Sequence, residues 1–181
     1  ILGDMAGSQG TLHWTDGRLD VINLRVGRGG TGTFIQDVGP GNGLYLQQPD
    51  QSLVIGELAG SDGVFEQRSG DVLAHGLRVT VGDAGRGTYR QLDGMHDSNE
   101  VVIAHLSGSE GRYELTGDTA GLHTTQRTVV GDDGVGRFVH SAGSHNTQEL
   151  MLGRGTSTHA ATGRYEMSGM YSSLNTGRTV V

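Results

Sequence analysis

Carboxylates and imidazoles are the side chains in this sequence whose types and spacing could support chemistry. Asp16, Asp71, Asp93, Asp97 and Asp118 are the acids to weigh, because two carboxyl groups within about 5 to 10 Å across a groove cleave glycosidic bonds. Eight histidines, with His140 and His145 five residues apart, raise a metal centre instead. Such a centre needs ring nitrogens within about 2.1 Å of one ion. Glu57 and Asp83 form an acidic step that could attract calcium, although neither an EF-hand loop nor a nine-residue calcium repeat surrounds them. Phosphate loops, Gly-x-Ser-x-Gly elbows and paired Cys/His ligand sets are missing from the sequence. Whether any of these acids and histidines meet depends on the elements that carry them.

Those elements cannot be long helices. The chain has 181 residues of which 33 are Gly and 34% are apolar, and glycine costs about 1 kcal/mol per helical position relative to alanine. Short strands joined by tight turns fit this composition, with a thin core shared from one repeat to the next. Cysteine does not occur, so disulfides and thiolate chemistry are excluded. All thirteen basic residues are arginine and the net charge is −7, which argues against duplex DNA or an anionic membrane as partner. No apolar run is long enough to cross a bilayer as a helix, and the first residues lack the pattern of a signal peptide. No cofactor is called for.

A phrase Gly-x-Phe/Tyr recurs with anchors at Gly32, Gly63, Gly87, Gly111, Gly136 and Gly163, and Gly10-Thr11-Leu12 is a degenerate first copy. The anchors fall about 25 residues apart, a solenoid period. A second glycine precedes each anchor by five residues in one kind of coil (Gly27, Gly82, Gly131) and by seven in the other (Gly3, Gly56, with Ala104 in the glycine's place). The last coil, Gly153 to Gly163, follows the longer kind with three residues inserted, so short and long coils alternate. Further glycines at Gly17, Gly39, Gly70, Gly94, Gly117, Gly143 and Gly169 close the phrase, giving three corners per coil. The expected fold is all-β: a single-stranded parallel β-solenoid of about seven coils, one repetitive domain over residues 1–181 with both ends uncapped.

Segments such as Val130-Gly131-Asp132-Asp133-Gly134-Val135-Gly136-Arg137-Phe138 and Gly163-Arg164-Tyr165-Glu166-Met167-Ser168-Gly169 resemble the glycine-rich repeats of large bacterial surface and autotransporter-like, adhesin-type secreted proteins. The resemblance runs over essentially the whole chain. His140, where such repeats usually carry glutamine, marks a diverged copy. The resemblance implies a β-solenoid and an extracellular or cell-surface setting.

Stacked at about 4.8 Å, seven coils make a rod of roughly 35 Å in which equivalent residues form columns. One column runs Leu12, Phe34, Phe65, Tyr89, Tyr113, Phe138, Tyr165 and reads as a core ladder, with a carbohydrate-binding stripe as its alternative. Two residues on, Trp14, Gln36, Gln67, Gln91, Leu115, His140, Met167 contains three glutamines in register, expected as an amide ladder along the axis. The column Asp4, Arg28, Glu57, Asp83, His105, Asp132, Arg154 alternates mostly in sign, as an exposed corner should. Asp16 and Asp93 lie three coils apart, Asp71 and Asp118 two, and His96 and His145 two. No catalytic dyad and no metal site is therefore expected.

The function expected from these columns is structural: a rigid rod, or a filament of the chain with itself by end-to-end stacking or with further repeats of a longer chain. A glycan-binding adhesin module is the alternative, and a glycan-degrading enzyme with the lengthened loop Arg154 to Thr162 beside its groove comes third.

Overall fold

The computed structural model describes residues 1–46, 53–155 and 160–181. Along the chain run β1 (Gln9–Trp14), β2 (Leu19–Val21), β3 (Leu24–Val26), β4 (Thr31–Asp37), β5 (Gly43–Leu46), β6 (Leu53–Ile55), β7 (Asp62–Ser69) and β8 (Asp71–Val81). They are followed by β9 (Arg86–Gln91), β10 (Met95–Ile103), β11 (Glu110–Leu115), β12 (Gly121–Val130), β13 (Val135–His140), β14 (Gly143–Leu152), β15 (Thr162–Met167) and β16 (Ser172–Val180). No helix occurs among the described residues.

The strands form a parallel β-solenoid. One sheet takes a strand from each coil in the order β1-β4-β7-β9-β11-β13-β15, and the other runs β16-β14-β12-β10-β8-β5-β2 with β3 and β6 joined beside it. Pairing is in register: Gly32, Phe34 and Gln36 of β4 stand on Gly63, Phe65 and Gln67 of β7, which stand on Gly87, Tyr89 and Gln91 of β9. The period of two in a strand sends alternate side chains to opposite faces, and β4 accordingly buries Gly32, Phe34 and Gln36 while Thr31 is exposed and Thr33 and Ile35 are partly so. From the opposite wall Leu53, Ile55, Val79, Val81, Val101, Ile103 and Val130 close one core continuous through the stack.

The anchor glycines and the corner glycines serve different physical needs. At Gly87 a Cβ would run into the backbone nitrogen of Gly82 and the carbonyl of Ile55, so only hydrogen fits where the corner folds back. The preceding corner position instead needs a left-handed backbone. Glycine holds it in most coils, and Ala104, at φ 59°, is the non-glycine residue with positive φ among the described residues.

Alternation of short and long corners is a nesting device. Each long corner contains a turn closed by a backbone bond, Ser8 to Met5, Ser61 to Leu58 and Ser109 to Leu106. Each following short corner sets a side-chain-free residue on that turn: Gly30 on Met5–Ser8, Gly85 on Leu58–Ser61, Gly134 on Leu106–Ser109.

Candidate functional site

The repeated aromatics form an internal stack. Ring centroids are separated by 4.9 Å for Phe34–Phe65, 4.8 Å for Phe65–Tyr89, 4.7 Å for Tyr89–Tyr113, 4.9 Å for Tyr113–Phe138 and 4.6 Å for Phe138–Tyr165. Phe34, Phe65, Tyr89, Tyr113 and Phe138 are fully buried and Tyr165 is partly so. At its start the stack departs from the repeat: Leu12 is 40% exposed, and Trp14 meets Phe34 edge-on at 6.5 Å. The buried rings of this column offer no face to a sugar.

The glutamine column is not an amide-to-amide ladder, and this corrects the expectation. Both Nε2 hydrogens of each glutamine are used by backbone carbonyls around the next corner: Gln36 donates to Ser69 and Asp71, Gln67 to Gly70 and Met95, Gln91 to Gly94 and Gly121. The oxygens are served by the aromatic column of the following coil. Tyr89 donates its hydroxyl to Gln67 Oε1 at 2.8 Å, and Tyr113 donates to Gln91 Oε1 at 2.8 Å. The two columns are thus coupled on the diagonal, one coil on and two positions back: tyrosine follows glutamine or histidine, and phenylalanine follows Trp14 or Leu115. Gln36 breaks the pattern: the diagonal neighbour one coil on is Phe65, and the buried Oε1 of Gln36 has no partner.

Three histidines lie inside the core, which spacing alone did not reveal. His96 and His145 occupy the column Leu44, Val72, His96, Leu122, His145, Leu174 on the second sheet. His96 lies parallel to Tyr89 at 5.0 Å with Nδ1 2.9 Å from the Tyr113 hydroxyl. Because that hydroxyl donates to Gln91, His96 must carry its proton on Nδ1. Burial drives its pKa down to about 3. His145 stacks on Phe138 at 5.0 Å and is driven down to about 3, chiefly by burial, with His140 and His96 adding repulsion. Its Nδ1 is 3.0 Å from the Tyr165 hydroxyl and its Nε2 2.9 Å from the Thr128 hydroxyl. His140, also without accessible surface, places Nδ1 2.8 Å from the same Tyr165 hydroxyl and Nε2 3.0 Å from the Gly143 carbonyl. Burial lowers its pKa too. His96 and His145 remain two strands apart, with Leu122 between them.

The acids do not converge. Asp16 and Asp93 each accept from the amide of the following glycine, at 2.7 and 2.8 Å, and Asp93 also accepts from Thr119. Asp71 accepts from the Met95 amide and stands in the column of Met95 rather than of Asp118. Asp97 lies between His75 at 3.5 Å and His123 at 3.4 Å on the outer face. Glu57 and Asp83 turn to separate cations: Glu57 to Arg25 at 3.4 Å and Arg28 at 3.8 Å, Asp83 to His105 at 2.7 Å. No group of three or more metal-ligating side chains occurs among the described residues. The loop Arg154 to Thr162 lies partly outside the described residues.

His105 is held between two carboxylates, with Nε2 3.7 Å from Asp132 on the far side. Its pKa is raised by the hydrogen bond to Asp83 and the charges of both acids, against desolvation. On the second sheet Arg78, Glu100, Arg127, Glu149 and Arg178 make a further ladder of alternating sign, Glu100 pairing with Arg78 at 2.8 Å and with Arg127 at 2.5 Å. Beside it lies an open groove of about 410 Å³ lined by His123, Thr125, Asn146, Gln148 and Asn175 among others. No helix is long and apolar enough to cross a membrane, among the described residues.

Compared with protein-family models, curated proteins and solved structures, the chain matches none.

Proposed function

We propose that this chain is a structural rod element of an extracellular or cell-surface repeat protein, of the glycine-rich adhesin-like kind its phrases resemble. The observation that carries this reading is the continuity of the core. The aromatic column passes ring to ring from Phe34 to Tyr165 at 4.6 to 4.9 Å, and polar side chains spend their hydrogen bonds and charges on neighbouring coils instead of converging on one point. Such a stack gains stiffness from each nearest-neighbour interface.

Negative-stain electron microscopy over a concentration series tests the reading. Short rods of constant length support a rod element; fibres that lengthen with concentration would replace it with self-assembly.

A glycan-binding module is the second reading, supported by the groove beside Asn146, Gln148 and Asn175, whose amides and hydroxyls suit sugar hydroxyls. Binding on a glycan array that disappears with Asn146→Ala and Asn175→Ala together would favour it.

A further inference from the structure

Coils in this molecule are tied across the core by a tyrosine hydroxyl of one coil and an acceptor in the coil before it. At two junctions that acceptor is the amide of Gln67 or Gln91, which does not titrate. Between β13/β14 and β15/β16 the same tie is made by histidine: Tyr165 is bonded to His140 and, from the other side, to His145.

With both imidazoles neutral, the chain of bonds has one consistent direction. The Gly143 carbonyl only accepts, so the proton of His140 sits on Nε2 and its Nδ1 must accept from the Tyr165 hydroxyl. Tyr165, having donated, accepts from Nδ1–H of His145, which leaves His145 Nε2 to accept from the Thr128 hydroxyl. Five residues from β12 to β15 are thereby locked together by four bonds. A proton added to either ring reverses part of the chain and leaves a cation in the core.

Among the described residues, nothing nearby neutralises that cation. His145 is faced by Phe138 and His140 from β13, Tyr165 from β15, Leu122 and Thr128 from β12 and Leu174 from β16, with His96 the nearest titratable group beyond them. His140 is faced by Tyr165, Phe138, Leu115 and Met167. The ion pairs on strands β13 to β16, Arg137–Glu166, Arg164–Glu166 and Arg178–Glu149, are on the outer faces, and Arg154 pairs with Asp132 at the corner.

We infer that the junction between β13/β14 and β15/β16 is an acid-sensitive latch, closed at neutral pH by the His140–Tyr165–His145 relay and opened when either imidazole takes up a proton. Opening uncovers the β13 and β14 edges, a template for a new strand partner. The lowered pKa values of both rings are in keeping with this, because the unlatched state binds protons below about pH 6.5 that the latched state refuses.

Hydrogen exchange followed by mass spectrometry at pH 7 and pH 5, corrected for intrinsic rates, tests the latch on the whole chain. Peptides covering residues 162–180 are expected to lose at least tenfold in protection at pH 5 relative to those of β4 and β7, which contain no histidine. In His140→Gln with His145→Leu, which installs the glutamine and leucine that the same columns hold elsewhere, that selective loss disappears. An unchanged selective loss in the double variant overturns the proposal, and so does a uniform loss over all strands in the parent. Should the variant not fold, a histidine ring-proton NMR titration of the parent decides. A His145 signal that titrates near pH 6.5 while residues 162–180 stay protected overturns the latch; no titration until those residues open upholds it.

Discussion

Phe65 lies diagonally across from Gln36, one coil on and two positions back along the strand, in the place from which Tyr89 reaches Gln67 and Tyr113 reaches Gln91, and Gln36 Oε1 is consequently a buried acceptor without a donor. A phenolic oxygen added there should find that acceptor at the geometry the next two coils already use. Phe65→Tyr is therefore expected to raise stability by about 1 kcal/mol, the usual net worth of such a bond. Urea denaturation of the two proteins checks this, and a lower midpoint for the variant would mean that the ring position leaves no room for the hydroxyl.

The reverse change should hurt. Tyr89→Phe strands Gln67 Oε1 in the core, which costs about 1 to 3 kcal/mol, while Phe138→Tyr, diagonal to Leu115, offers its hydroxyl no amide and should also destabilise. Comparing the three variants separates the coupling of the columns from any general effect of a hydroxyl.

Ala104 occupies a corner that glycine fills in other coils, at φ 59°. A left-handed backbone costs an L-residue about 1 to 2 kcal/mol, partly offset by the greater freedom glycine has when unfolded. Ala104→Gly should gain about 0.5 to 1 kcal/mol. Gly87→Ala, by contrast, forces a methyl into the backbone of Gly82 and Ile55 and should cost more than about 4 kcal/mol. Thermal melts of both variants provide the contrast.

Two opposite pH responses should be separable. His96 and His145 both have folded values near 3 against about 6.5 unfolded, so their contribution is intact above pH 6.5 and is lost as pH falls toward 3. Between pH 6.5 and 4.5 each should cost about 2 to 3 kcal/mol. His96→Leu, matching Val72 and Leu122 in its column, should leave stability at pH 7 nearly unchanged in comparison and recover about 2 kcal/mol at pH 4.5. Chemical denaturation at the two pH values measures both.

His105 moves the other way. Its pKa is raised by Asp83 and Asp132, so the stability it adds is complete below about pH 6.5 and disappears as pH climbs through the higher folded value. His105→Gln should flatten the loss of stability between pH 6 and pH 9 without altering the acid limb. Because the ring is half-buried, salt should weaken the effect.

Coil period, corner glycines and the in-register columns were legible in the sequence because each repeats with its own residue type. Phe34 to Tyr165 could be aligned by eye, and so could the alternating charges from Asp4 to Arg154. The uses of Gln36, Gln67 and Gln91 were not, since the carbonyls that bind their amides come from the next corner and carry no residue signature. The buried histidines were hidden for another reason. Met95-His96-Asp97-Ser98 has no apolar alternation, so nothing local tells that His96 and Ser98 face inward. A signal did exist between columns: tyrosine tends to follow a polar residue one coil earlier, phenylalanine an apolar one.

The seating of Gly30, Gly85 and Gly134 on the turns below them gives the molecule a parity. Excising one coil would bring two corners of the same length face to face, whereas excising an adjacent pair of about 50 residues, such as Gly87 to Gly136, restores the original sequence of seats. Length in this architecture is therefore quantised in doublets. Natural variation in reach, and any engineered ruler cut from it, should proceed by even numbers of coils.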